Sequence, residues 1–321
     1  ADHIGDSRGA LWEDARLAEA MKVMPSLAAS KNKTQAQSKL RLALRRSALT
    51  EKAEDIKSGK IEVSTDLRAK VLLGDSTIIA KSIPNESVHL VLTDPPYGIS
   101  LDVGETKKGS SHPVIYHDDS YDIHDIYALI AKEAFRVLVP DAHAYFWFDI
   151  KAHGKILKIL TDVGFTVDPI PLLWVKPGPG QVNHPDSRWG SGYEACFFCR
   201  KGSRSLLKQG QSNVLSYDPV PPNKKIHPVE KPVALLRQLI ETSTAPSETV
   251  VDFFGGSGST AEAALQTGRD FLVVEKDEAY YAGILERLSG LATNQPVASF
   301  EKGSEEYDPL AALEEEMGSD E

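Results

Sequence analysis

Val88-His89-Leu90-Val91-Leu92 runs straight into Thr93-Asp94-Pro95-Pro96-Tyr97-Gly98. Far downstream, Val250-Val251 runs into Asp252-Phe253-Phe254-Gly255-Gly256-Ser257-Gly258-Ser259-Thr260. Each apolar run reads as a buried strand, and each continuation as a loop leaving its carboxyl end. In the later loop, Gly255, Gly256 and Gly258 let backbone approach a ligand closely. A helix opening near Ser259 aims amide hydrogens at a carboxylate or phosphate. The loop lacks the G-x-G-x-x-G spacing of a nicotinamide fingerprint and the lysine of a phosphate loop. In the earlier loop, two prolines fix a turn and supply no competing donor, so the Asp94 carboxylate and the Pro95 carbonyl can accept both N–H groups of an amine. Two acceptors so placed free the lone pair of an amine that is otherwise delocalised. Tyr97 offers an aromatic face for stacking.

Working outward, the stretch from about residue 66 to 292 alternates strand and helix patterns, which predicts an α/β domain with a mainly parallel sheet. Strands are expected at 70–73, 88–92, 144–148, 171–176, 193–200, 250–251 and 271–274. Helices are expected at 121–138 (closed by Pro140), 151–163 (ended by Gly164), 233–240 and 260–266. The strands at 171–176 and 193–200 follow each other without a helix, so an antiparallel end to the sheet is expected. Glu275 closes the strand after the glycine loop, where an acid is well placed to accept hydrogen bonds from ribose hydroxyls. Three long connections, about 98–121, 177–192 and 201–226, are expected to carry function.

Ahead of this domain, residues 1–65 read as a helical arm. One helix spans Leu11 to Met24 and stops at Pro25; a second spans Thr34 to Leu49 with Thr34 as a possible cap. Residues 293–321 read as an acidic tail. The chain has 321 residues and a net charge of -10. From Phe300 onward nine acids face one lysine, a net -8, whereas Lys31 to Lys60 carries nine cations against three acids, a net +6. A basic arm on a near-neutral body is compatible with DNA binding without demanding it. For the arm, direct DNA contact, dimerisation and linkage to an upstream domain or partner are all open readings. No apolar stretch is long enough to span a bilayer, and a cytoplasmic protein is expected.

Cys196 and Cys199 are the two cysteines. No second ligand pair at zinc spacing follows, and both lie within an apolar strand pattern, so two buried thiols and no metal site are expected.

The two loops, with the amine-binding corner ahead of the glycine loop, resemble a permuted DNA amino-methyltransferase of the adenine-N6 or cytosine-N4 type. The resemblance covers about Val71 to Leu288. It implies a Rossmann-like fold in circularly permuted motif order, S-adenosylmethionine as cofactor and double-stranded DNA as partner. It implies catalytic roles for Asp94, Pro95, Pro96 and Tyr97 on a flipped-out base. The glycine loop departs from the family's D-P-F-x-G-S-G-T-T by Phe253 for Pro and Ser259 for Thr, without loss of a glycine. Cofactor-binding roles are implied for Asp252, Phe254, Gly256, Ser257, Gly258 and Glu275. Gly74-Asp75-Ser76 resembles the segment whose Asp contacts the cofactor's adenine. His227-Pro228-Val229-Glu230-Lys231-Pro232 resembles the segment against the methionine moiety, and Lys231 is carried over while 229 and 230 are left open.

The Asp-Pro-Pro-Tyr form, commoner among adenine-N6 enzymes, favours adenine over cytosine. Arg188, Trp189, Arg200, Lys201, Arg204, Lys208, Lys224 and Lys225 in the long loops are candidates for phosphate or base-edge contacts. Methylation of RNA or of a glutamine amide is a rival activity, against which the permuted order counts. A non-catalytic DNA-binding protein on the same fold is the rival of another class.

Overall fold

In a computed structural model, residues 17–22, 24–30, 32–96, 123–178, 187 and 189–292 are described. Tyr97, Arg188, the connection 98–121 and the tail from 293 onward lie outside them. The principal elements are α1 (Lys33–Lys57), α2 (Thr65–Lys70), β1 (Val71–Leu73), α3 (Ser76–Ile79), β2 (Val88–Thr93), α4 (Ile123–Val137), β3 (Leu138–Phe148), α5 (His153–Val163) and β4 (Thr166–Val167). They continue with β5 (Leu172–Val175), β6 (Tyr193–Lys201), β7 (Val214–Ser216), α6 (Val233–Ser243), β8 (Thr249–Asp252), α7 (Ser259–Gln266), β9 (Asp270–Glu275) and α8 (Glu278–Ala292).

The strands form one sheet in the order β1-β9-β8-β2-β3-β6-β5-β7, with β4 on β6. β1, β9, β8, β2 and β3 are mutually parallel, whereas β6 runs antiparallel to both β3 and β5. The expected antiparallel end is therefore present. Period-two alternation divides the buried side chains between two faces. Leu90, Leu92, Val250 and Val273 pack with α6, α7 and α8 on one side, and Val91, Val251 and Val274 pack with α4 and α5 on the other. The result is a three-layer sandwich with both sheet faces covered, as a parallel sheet requires.

Cys196 and Cys199 are fully buried and free on β6. Their spacing of three puts them on opposite faces, one in each half of the core, so they cannot share a metal or a disulfide.

Several local readings are corrected. Asn32, not Thr34, caps α1, its side chain accepting the Gln35 N–H at 2.9 Å, and the helix runs on to Lys57. Pro140 lies within β3, at the register shift between β2 and β3, where a residue without an N–H costs no ladder bond. Pro25 begins a short helix, Pro25–Ala28, after the helical residues 17–22. No helix among the described residues is long and apolar enough to cross a membrane.

Candidate active site

β8 and β2 are adjacent, with Leu90 opposite Val250 and Val91 opposite Val251. That adjacency brings the two sequence motifs together at the carboxyl ends of neighbouring strands, where open α/β sheets bind ligands. Asp252 ties the corner. Its carboxylate accepts hydrogen bonds from Thr93 Oγ1 at 3.0 Å, Thr260 Oγ1 at 2.7 Å and the Phe254 N–H at 3.1 Å. Burial pushes this carboxyl up to about 6, against the three donors that pull it down.

The glycine loop then turns over β9. Gly256 and Gly258 have φ of +52° and +77°, the left-handed region that a side chain rarely adopts. Gly255 is needed for space instead: a Cβ there would lie 2.5 Å from Val273 Cγ1. The Gly256 N–H donates to Glu275 Oε2 at 2.7 Å, and the Asp277 N–H donates to Oε1 at 2.8 Å. Burial raises the Glu275 carboxyl to about 7 despite these two donors.

A cavity of about 390 Å³ opens between the loops. Asp94, Pro95 and Pro96 border it on the β2 side, Phe254, Gly256 and Ser257 on the loop side, and Glu275, Lys276 and Asp277 at the end of β9. Lys231 enters from the segment before α6. Its buried ammonium donates to Asp94 Oδ2 and lies 3.5 Å from Glu194 Oε2 and 4.6 Å from the centre of the Trp147 ring. Burial opposes its charge, but Asp94 and Glu194 outweigh that and hold its pKa above the ordinary lysine value. Glu194 also accepts from Lys176 at 2.5 Å, and Lys231 and Lys176 hold its carboxyl below the usual range against the pull of burial.

Glu230, left open by the sequence, is a clamp. It accepts the Ile226 N–H at 2.6 Å and Arg287 Nη1 at 2.8 Å, while Arg287 also donates to the Ser257 carbonyl at 3.0 Å. His227 packs against Gly256 and edge-on to Tyr280 at 4.5 Å, and burial, with Lys231 nearby, lowers its pKa to about 4. The ring is therefore neutral at neutral pH.

The remaining candidate residues divide. Asp75 caps α3 and accepts Lys276 at 2.6 Å, at the rim beyond β9 rather than in the cavity wall. Gly258 precedes α7 behind the wall, its Cα close to Ile284.

Arg200, Lys201, Arg204 and Lys208, candidates for phosphate or base-edge contacts, lie away from the corner. On β6, Lys201 pairs with Ala142 near the start of β3, so these residues sit at the opposite end of the sheet from Asp94. Lys201 donates to the Phe135 and Leu138 carbonyls at 2.9 and 2.5 Å, Arg204 pairs with Glu248 at 2.6 Å, and Lys208 with Glu241 at 2.7 Å. Lys225 lies on the cavity side, close enough to Lys176 and Lys231 that burial and these charges depress its pKa. Lys224 beside it is exposed, and Trp189, ahead of β6 at the cavity end, is fully exposed.

Sequence reasoning missed Glu194, Lys176, Arg287, Tyr280 and Trp147 as parts of this site. Lys176 and Glu194 at strand ends carried a weak signal; Arg287 and Tyr280, on the last helix, carried none.

The family model described as DNA methylase matches residues 88–286. The chain belongs to this N6/N4 DNA methyltransferase family. It is 29% identical over 225 residues to YubD of Escherichia coli, a protein provisionally named a methylase, covering 70% of this chain and 91% of that one. To the type II methyltransferase M.HinfI of Haemophilus influenzae it is 24% identical over 260 residues, covering 71% and 70%. Among solved structures, M1.HpyAVI in complex with SAM superposes with a TM-score of 0.52 at 22% identity, covering 68% of this chain and 98% of that one. The cytosine-N4-specific PvuII DNA methyltransferase gives 0.53 at 21% identity, covering 70% and 91%. The fold of the methyltransferase family, inferred from the permuted motifs, is thus shown.

Proposed function

We propose that the protein is a DNA adenine-N6 methyltransferase using S-adenosylmethionine. The observation that carries this reading is the junction of Asp94 with the glycine loop around one cavity, at the carboxyl ends of β2 and β8. The cavity volume lies within the usual range for small-molecule sites of about 300–1,000 Å³. Its donor set fits the cofactor: a buried carboxylate at Glu275 for a ribose diol, a glycine cradle at Gly255 and Gly256, and an indole. That indole belongs to Trp147, which borders the cavity and whose Nε1–H finds no acceptor among the described residues. Glu275, Phe254, Gly256, Ser257 and Lys231 would hold the cofactor at the wall, with Asp75 at the rim and Asp252 and Gly258 shaping the loop. When bound, S-adenosylmethionine supplies a methyl group made electrophilic by a sulfonium.

The residues do the rest. Asp94 and the Pro95 carbonyl accept the two N–H groups of the target amine and turn its lone pair toward the cavity. Lys231 keeps a positive charge beside Asp94, so the carboxylate faces the amine as an acceptor. Pro96 fixes the turn and Tyr97 stacks the base. Most of the rate then comes from positioning and preorganised acceptors, which need no covalent enzyme intermediate. Extruding the base costs a few kcal/mol, offset by these contacts. Lys224, Lys225 and Trp189 would meet the duplex at this end of the sheet, and Arg188, outside the described residues, is a candidate for the same role.

The test is transfer of tritiated methyl from S-adenosylmethionine to unmethylated genomic DNA, with the product nucleosides separated. Label in N6-methyladenine is expected. Label in N4-methylcytosine would overturn the choice of base, and absence of label with the cofactor bound would overturn the DNA reading.

A further inference from the structure

α1 lies along α8. Leu49, Ala53 and Ile56 are buried on one face of α1, and Leu49 packs with Ala279, Tyr280 and Ile226. Gly283 of α8 meets Leu49 so closely that a Cβ there would stand 3.2 Å from Leu49 Cδ2. Three cations of the arm are engaged with acids at α8: Arg46 with Asp277 at 2.5 Å, Lys57 with Glu278 at 2.6 Å, and Lys52 with Glu286. These contacts account for part of the positive charge of residues 31–60 within the molecule itself.

Of the three, Arg46 reaches the cavity wall. Asp277, its partner, borders the cavity and holds the turn after β9 in three ways. Its N–H donates to Glu275, its Oδ1 accepts the Ala279 and Tyr280 N–H groups at 3.0 and 3.2 Å, and its Oδ2 takes Arg46. The Arg46 guanidinium also stands 5.5 Å from the centre of the Tyr280 ring, which meets His227. Contacts thus run from α1 through Asp277 to Glu275, and through Tyr280 and His227 to Gly256.

We propose that the N-terminal helix α1 is part of the cofactor site, with Arg46 a positioning residue for the adenosine end of S-adenosylmethionine. This rests on the cofactor reading given above. As a half-exposed ion pair, Arg46–Asp277 contributes little to global stability. Its effect is local, because Asp277 and Tyr280 are themselves wall. A helix that otherwise reads as an accessory arm therefore braces two wall residues of the pocket from outside.

Calorimetric titration of S-adenosylmethionine into the full chain, alongside urea unfolding, decides it. Arg46→Ala is expected to weaken binding roughly fivefold, with Arg46→Lys recovering part of the loss through Asp277. Lys57→Ala, which breaks a comparable pair on the same helix away from the cavity, is expected to bind as the parent does. In turnover, Arg46→Ala should raise KM for the cofactor and leave kcat unchanged. Parent-like binding by Arg46→Ala, or equal weakening by Lys57→Ala, would overturn the proposal. A folded parent that releases no heat with the cofactor would instead sink the cofactor reading itself.

Discussion

Lys231 and Asp94, 137 residues apart in the chain, share a hydrogen-bonded ion pair in the wall of the cavity, with Glu194 as the second carboxylate on the same ammonium. Lys231 is nearly inaccessible, its side chain only 6% exposed, so the pair is held away from bulk water. Asp94 and Glu194 face the two ammoniums of Lys231 and Lys176, which favour Asp94 as a carboxylate, an acceptor-only group of the kind an amine with two N–H groups needs.

Asp94→Ala should abolish methyl transfer while leaving cofactor binding close to that of the parent, because Lys231 keeps Glu194 as a partner. Transfer assays and calorimetry on the same preparation check this. Equal loss of both activities would move Asp94 into the cofactor pocket.

Lys231→Leu removes the ammonium and takes the ion-pair partner from Asp94, while Glu194 keeps Lys176, and the loss is on the order of 3 kcal/mol for a broken buried pair. Adding Asp94→Asn removes the uncompensated charge and should recover part of that stability. Urea unfolding of the single and double variants measures it; a single variant as stable as the parent would mean that water already reaches the pair.

Glu275 titrates near 7 in the folded protein against an ordinary value of 4.5, because burial disfavours its charge. Its folded-state pKa is raised, so the folded form binds the extra proton between those values. The stability that this gives is complete below pH 4.5 and is lost as pH rises toward 7. Glu275→Gln should therefore flatten the fall in unfolding free energy between pH 5 and 7 relative to the parent. Cofactor binding should run the other way, tightening from pH 6 to 8 as the carboxylate ionises and becomes a better acceptor for ribose hydroxyls. A parent whose affinity ignores pH in that range would remove Glu275 from the ribose role.

Gly255→Ala and Gly256→Ala should fail differently. At 255 the new methyl collides with Val273 and Ile284 inside the core, so the loss is mainly of folding stability, on the order of 2 kcal/mol. At 256 the space toward His227 is adequate, but the left-handed backbone is strained by about 1 kcal/mol, and the strain falls on the cavity wall. Melting temperature should separate the first variant from the parent, and cofactor affinity the second.

Much of the sheet was legible because its strands are short apolar runs with loops at their ends. The antiparallel turn-back of β5 and β6 followed from two such runs with no helix between them. The junction of Asp94 with the glycine loop could be read only through the permuted motif order, since nothing local says that β2 lies beside β8. Long-range partners were not legible. Glu230 reads as a departure from a motif, yet it is a clamp whose partner, Arg287, is 57 residues away. Lys201 and Arg204 read as phosphate or base-edge candidates in a long loop; their place at the far end of the sheet and their acceptors within the fold come from the pairing of β6 with β3, which no local signal shows. Asn32 was overlooked as a cap because the apolar periodicity of α1 begins well inside the helix.

Thr93 donates to Asp252 across 159 residues of chain, and that bond has a consequence for synthesis. At ribosomal rates of about 5–20 residues per second, β2 emerges on the order of ten seconds before the strand that will lie beside it. For that interval Leu90 and Val91 lack their β8 neighbours, and one edge of β2 is open to pairing with other chains. The nascent chain carries Asp94 long before the glycine loop that borders the same cavity, so the cavity cannot close into shape until the last strands arrive.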